Sequence, residues 1–427
     1  MPTRRTAAGI AIAAMMLFSF AAGVKAPGLP AWLPGACAWL AGLLLLPGLS
    51  RFQALQAAAM SVVGLAGIAY ASAHGNWTWW NGLRDGNHAL LAMLAAVSFL
   101  RPVTSTGDAA EDLPRGRRAV LETLAASHLF GAVINISAPV LIGERIAGPR
   151  GMTALQAKTV SRAFVAASMW SPFFIAMALI LHYLPGARLP VISGIGFATS
   201  ALLMLFCAWT LPRDPAAPDF TGFPLHWRAL WAPLLLSACV LSGHALLPDL
   251  SVLVLIEGAA LGVVLVVLLL GRPGAAGAVL AGHVRERLPE MRGEVAMFLS
   301  AAVMTAGIGA AVGMSGLALA PADFGPGAAA VLLATLIVLA VVGVHPVVSI
   351  SVLASLWPLD RYDGNLIGGV FLLAWGLGLV ISPFSGTSLV FQGRFGLRTL
   401  DLLRWNLSYV LVGYAVGVGI LYLYAVG

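Results

Sequence analysis

The chain has 427 residues, 60% of them hydrophobic and only 10% charged, with a formal net charge of +7. A soluble domain carries roughly 25% charged residues to solvate its surface, so a soluble globular protein is excluded. The positive balance would suit nucleic acid only if the 24 Lys and Arg gathered into one patch; their placement, below, assigns them to a membrane rim, and no nucleic-acid partner is expected.

At about 20 apolar residues per crossing, hydropathy and chain breakers predict spans at 7–24, 31–49, 52–73 and 87–100. Arg4 and Arg5 ahead of the first run give it the outline of a signal peptide, but the run is longer than a usual signal core. It is therefore expected to be a retained helix. A polar, basic stretch at 101–118 leads to 119–146, 157–184 and 189–211, and a Pro-rich linker at 212–225 divides the chain. The second part reads 226–247, 250–271, a basic connector, 294–318, 327–357, 364–392 and 403–426.

Two segments do not fit a simple span. Segment 119–146 is too long for one upright helix and too short for two crossings, and its middle holds the breakers Gly131, Asn135, Ser137 and Pro139. Arms of about 12 residues rise ~18 Å, halfway through a ~30 Å core. Segment 327–357 has its own break at Gly343, His345, Pro346, Ser349 and Ser351. Both are expected to be re-entrant hairpins, whose irregular backbone is tolerated at depth only inside protein or beside a watery cavity. Each is followed by a long span with an internal proline: Ser171-Pro172-Phe173 in 157–184, and Ser382-Pro383-Phe384 running into Ser385-Gly386-Thr387-Ser388 in 364–392. Proline inside a helix removes one backbone bond and displaces a carbonyl.

The fold class expected is thus an all-α polytopic membrane protein with about 11 transmembrane helices, two re-entrant hairpins and two broken helices. Residues 1–30 form an extra N-terminal helix, 31–211 a first repeat and 226–427 a second. With the N-terminus in the cytoplasm and the C-terminus outside, all but Lys25, Arg84, Arg188 and Arg361 of the Lys and Arg fall on the cytoplasmic side, as the positive-inside rule requires. The hairpins then enter from opposite faces, which makes the halves inverted repeats. In secondary transporters such repeats place the substrate near the midplane.

This arrangement resembles the ion transporter superfamily, which includes divalent anion/sodium symporters and the large membrane subunits of TRAP transporters. The resemblance covers nearly the whole chain as architecture and little of it as sequence. The symporters carry Ser-Asn-Thr at each hairpin tip, whereas this chain has Asn135-Ile136-Ser137 and His345 through Ser349 to Ser351. The resemblance implies a fixed scaffold, a mobile transport domain, elevator-type alternating access and a homodimer; the location expected is the cytoplasmic (inner) membrane.

Half-helix N-termini favour anions, and half-helix C-termini with unwound carbonyls favour Na⁺. Around the breaks stand Asn135, Ser137, Ser171, His345, Ser349, Ser351, Ser382, Ser385, Gly386, Thr387 and Ser388, the expected substrate-binding set. Asn135, Ser137, Ser385 and Thr387 are the coupling-ion candidates. The alternative for the hydroxyls is satisfaction of nearby helix backbone. His345 could donate to an anion, carry a proton or cap a carbonyl; His128 lies one turn before the first break, and His182 reads as interfacial. Trp170 and Trp375 could wall the site or simply pack, and Trp77, Trp79 and Trp80 suit an interfacial belt. Glu257, an acid well inside 250–271, is costly in a membrane and is expected to make a structural hydrogen bond or a dimer contact, with a proton site as the alternative.

Cys37, Cys207 and Cys239 lie in apolar runs as small hydrophobes, and no CxxC, HExxH, Walker A or GxGxxG motif is present. The function expected is secondary transport of a small organic or inorganic anion, coupled to Na⁺ or H⁺, with no other cofactor. A membrane subunit serving a separate binding protein, a toxic-oxyanion exporter, a channel and, remotely, an intramembrane enzyme are the alternatives.

Overall fold

A computed structural model describes residues 2–100, 113–135, 137–149, 151–225, 231–271, 273–315, 320–383 and 385–427. Arg101, Arg150, Arg228 and Arg272 of the charge count, Phe384 of the second Ser-Pro-Phe and the side chain of Ser137 lie outside the described residues. Those described fold into helices, with isolated bridges at Arg115–Thr221 and Gly148–Gly151. The chain is an all-α polytopic membrane protein.

The helices are α1 Pro2–Gly23, α2 Leu33–Leu45, α3 Arg51–Ala73, α4 Trp79–Asp85, α5 His88–Ser98, α6 Gly116–Ile134, α7 Ser137–Ile146, α8 Ala154–Ser168, α9 Ile175–Tyr183 and α10 Leu189–Thr210. After the linker come α11 Trp231–Leu246, α12 Val252–Gly271, α13 Ala276–Gly282, α14 Arg292–Ser315, α15 Pro326–Val341, α16 Pro346–Leu356, α17 Gly364–Ile381, α18 Gly386–Phe395 and α19 Thr399–Val426. Among the described residues, 7 helical stretches are long and apolar enough to cross a bilayer unaided. The larger number of expected spans includes shorter pieces: 87–100 yields the single short helix α5, and 157–184 is divided into α8 and α9. The basic connector after α12 is helical, and part of it is buried. Helical turns carry it from α13 straight into α14, and His283 within it is buried, bonded to Ser98 Oγ at 2.9 Å and stacked on Phe99.

The chain forms two compact units that interleave pieces of both sequence halves. The first comprises Met1–Ser105, Leu236–Pro321 and Ile350–Pro358. Its closest packing joins α3 to α14, where a methyl added at Gly64 would stand 2.4 Å from the Val303 carbonyl oxygen and one at Gly307 1.9 Å from that of Gly64. Helices in lipid associate by such close contact because lipid tails are as apolar as leucine. Side chains then close the remaining backbone groups: Trp39 Nε1 donates to Leu83 O at 2.7 Å and Asn87 Nδ2 to Phe298 O at 2.9 Å.

Glu257 sits on α12 of this unit, 1% exposed, and its Oε1 has no hydrogen-bond partner among the described residues. The expected structural hydrogen bond is therefore missing at that atom. A buried carboxyl left unpaired costs free energy that an apolar side chain of similar volume avoids. Glu257→Leu is expected to raise the stability of the detergent-solubilised protein by about 1–3 kcal/mol, read as a higher melting temperature. A lower one would mean that the carboxyl is held favourably.

The second unit comprises Thr106–Leu235, Ala322–Ser349 and Leu359–Gly427. At its centre is α17, buried at every residue from Leu366 to Ile381 and packed by α8, α9, α10, α15 and α19. A helix apolar all round is stable only when surrounded on all sides, and α17 carries no charged residue. The linker is tied into this unit: Gly116 N donates to Phe220 O and Gly222 N to Pro114 O, both at 2.9 Å, and Phe223 N donates to Thr123 Oγ1 at 2.7 Å. Thr153 and Gln156 cap α8 reciprocally, and Gln156 Nε2 also donates to Ile146 O and Thr221 O. One polar side chain thus fixes the start of α8 against both α7 and the linker.

Candidate functional site: four helix breaks in one unit

The second unit contains four interruptions, each built by local chemistry. At the first, Asn135 adopts φ +53° and ψ −138°, outside both helical wells. A non-glycine residue in such a region costs about 1–3 kcal/mol. Its N–H still bonds Gly131 O at 3.2 Å while its carbonyl accepts from Ala138 N at 2.9 Å, so a single residue closes α6 and opens α7.

The second runs from Met169 to Phe174, between α8 and α9. Pro172 has no N–H to give a continuing helix. Ser171 Oγ accepts from Phe173 N at 3.3 Å and donates to Ala132 O at 2.5 Å, tying this break to the first. Beside it, Trp170 Nε1 donates to His128 Nε2 at 3.2 Å, while His128 Nδ1 lies 3.1 Å from Ala163 O. An Nε2 that accepts leaves the proton on Nδ1. His128 is accordingly a neutral tie between α6 and α8, and Trp170 is held by it.

The third break, Val342–His345, separates α15 from α16. His345 Nδ1 accepts from Val347 N at 3.2 Å, leaving Nε2 as the donor of the neutral ring, and the imidazole stands edge-on to Trp375 at 5.7 Å between centroids. One turn into α16, the buried Ser349 Oγ has no hydrogen-bond partner among the described residues. Buried hydroxyls are usually bonded, so Ser349 is one of the few exceptions among the described residues.

The fourth break, Ser382–Ser385, separates α17 from α18. Ser385 Oγ accepts from Ser388 N and donates to Ser388 Oγ, both at 3.1 Å, and Ser388 Oγ donates to Ser382 O at 2.8 Å. Gln392 Nε2 bridges back to Pro383 O at 3.2 Å. The hydroxyls of Ser171, Ser385 and Ser388 therefore satisfy the backbone at their own breaks, the structural alternative weighed from the sequence. Ser385, Thr387 and Ser388 are buried, but Gly386 is exposed and a methyl on it would meet none of the described residues within 4 Å. The first turn of α18, the positive end of its dipole, thus faces open space.

Direct contacts link the breaks. A methyl at Gly376 would stand 2.6 Å from Met169 Cγ and 3.2 Å from Val165 O, placing α17 against the second break. One at Gly378 would lie 3.4 Å from Pro346, which brings the third break beside α17 one turn before the fourth. Glu144 of α7 and Arg394 of α18 form an ion pair joining the second arms of the first and fourth breaks. Ten of the expected site residues fall in this unit, whereas Ser351, buried with its carbonyl accepting from Ser355 Oγ at 2.8 Å, falls in the other. Sequence reasoning missed Gln392 as a brace of the fourth break; its only signal was a polar residue in the first turns after Ser-Gly-Thr-Ser. Among the described residues, no group of three or more His, Cys, Asp or Glu could hold a metal.

No protein-family model matches the chain, and no curated protein matches it. Among solved structures it is similar to the crystal structure of the Alcanivorax borkumensis YdaH transporter, described as having an unusual topology, with 18% identity over 86% of this chain and 84% of that chain and a TM-score of 0.42.

Proposed function

We propose that the protein is a secondary active transporter of a small organic or inorganic anion. The observation that carries this reading is the linkage of four mid-helix breaks, by direct contact, inside one compact unit. Broken helices expose amides and carbonyls that a continuous helix would consume, and in a bilayer such groups are costly unless a protein cavity or a ligand meets them. The exposed amide end at Gly386, the Ser349 hydroxyl and the Nε2 donor of His345 suit an anion, with no charged side chain needed at the breaks. Oxygen donors at Asn135, Ser137 and Thr387 and the half-helix carbonyls suit Na⁺. A proton carried on His345 is the second reading for coupling; it requires Nδ1 to give up the bond it accepts from Val347 N–H and take the proton instead.

In this mechanism the second unit moves as the carrier and the first stays fixed, with the two sequence halves acting as inverted repeats. The test is uptake of radiolabelled di- and monocarboxylates, sulfate and arsenate into proteoliposomes, under an imposed Na⁺ gradient, an imposed pH gradient or neither. Accumulation above equilibrium under one gradient is expected. Flux that runs equally without any gradient would mark a channel and overturn the coupled mechanism.

A further inference from the structure

Away from the breaks, the second unit has an open cavity of about 320 Å³ where the first half of α8, the end of α10, the start of the linker and the first turns of α19 meet. Its cations are Lys158, Arg162 and Arg213; its one carboxylate is Asp214. Lys158 Nζ takes that carboxylate at 2.6 Å. Burial pushes the Asp214 carboxyl up, but hydrogen bonds from Lys158 and the Ala216 N–H, with the Lys158 charge, bring it below its ordinary value, so this carboxylate is already engaged by Lys158.

Arg162 has no such partner. It is 4% exposed, its Nε donates to Asn406 Oδ1 at 3.0 Å and its Nη2 to the Trp405 carbonyl at 2.5 Å, both neutral acceptors. Its guanidinium lies 5.5 Å from the Tyr409 ring centroid, and among the described residues no carboxylate lies within 4.0 Å of it. The neutral acceptors hold the guanidinium in place without cancelling its charge. Arg213, exposed and over the ring of Trp209 at 5.0 Å, adds a second cation with no carboxylate within 4.0 Å among the described residues. A buried charge is stable only with a counter-charge, and the arginine fork matches a phosphate group.

We propose that this cavity binds a phosphate-bearing anion, with Arg162 as its fixed cation and Arg213 closing over it. The headgroup of an anionic phospholipid is the occupant favoured: Phe206 and Trp405 give the cavity an apolar wall, and the positive residues mark this end of the helices as cytoplasmic, where basic pockets between helices take such headgroups. Free inorganic phosphate is the other source of the same chemistry.

The test is thermal melting of the full chain in a neutral detergent with added phosphatidylglycerol, phosphatidylcholine, inorganic phosphate or chloride. A ligand of the folded state raises the melting temperature. Phosphatidylglycerol is expected to raise it and phosphatidylcholine and chloride to leave it unchanged; Arg162→Gln should abolish the rise. Because loss of Arg162 could also impair folding, the exposed Arg213→Gln and the cavity-filling Ser408→Trp are the deciding variants, each expected to cut the rise by at least half. A rise with inorganic phosphate as well, lost in the same variants, supports the site with free phosphate as its occupant. No rise with either anion, an equal rise with phosphatidylcholine, or an unchanged rise in both deciding variants overturns the proposal. No outcome depends on transport, so its failure is separate from that of the proposed function.

Discussion

Gly196→Ala is expected to destabilise the protein by about 3 kcal/mol or more, whereas Gly194→Ala on the same helix should stabilise it by up to about 1 kcal/mol. The methyl at position 196 would stand 1.6 Å from the Met169 carbonyl oxygen and 2.6 Å from its carbon, while the one at 194 would meet none of the described residues within 4 Å. Backbone at a helix break cannot rotate aside as a side chain can, so α10 or the break itself has to move. The alanine at 194 gains only the helix propensity that glycine lacks. Melting curves of the two variants in one detergent read the contrast directly. Equal shifts would mean that α10 does not press on the break between α8 and α9. If the break shifts, uptake should fall with stability in Gly196→Ala and stay intact in Gly194→Ala.

The second large effect is expected at Asn135, with opposite signs for stability and activity. Glycine tolerates φ +53° and ψ −138° far better than asparagine, so Asn135→Gly should stabilise the protein by about 1 kcal/mol, part of the strain released. It also removes a side-chain oxygen from the proposed site, and uptake should fall more than tenfold. A residue whose role is only to shape the turn would give a stable variant with normal uptake. A measured pair, higher melting temperature and lost uptake, therefore separates ligand binding from local structure. Such strain persists only where the surrounding structure enforces it, and the bond from Ser171 to Ala132 O, one turn earlier, supplies that enforcement.

Much of the architecture was legible in the residues because its causes are local. Pro172, Pro346 and Pro383 interrupt helices wherever they stand, since a missing N–H does not depend on tertiary context, and the four breaks fall where Asn135, Ser171, His345 and Ser382 marked them. The membrane class followed from scarcity of charge. The roles of the polar residues were less legible. From composition alone, Ser171, Ser385 and Ser388 are equally good ion donors and backbone caps; which they are depends on a carbonyl within reach, and the folded chain puts one there. Arg162 counted in the sequence as one more positive residue of a basic rim. Only its burial beside Asn406 and Trp405, from the far end of the chain, separates it from the solvated arginines.

The sequence by itself determined that this chain lives in a bilayer, where its helices break and where its positive charges gather, because hydropathy, proline chemistry and charge act within a few residues. Tertiary structure alone decided that the breaks share one compact unit drawn from both halves, that His128 is a neutral tie while His345 keeps a donor, and that Glu257 is buried with one oxygen lacking a partner among the described residues. Those outcomes rest on contacts between residues far apart in the chain. Packing distance and hydrogen-bond partners, which the order of residues does not encode locally, settle each of them.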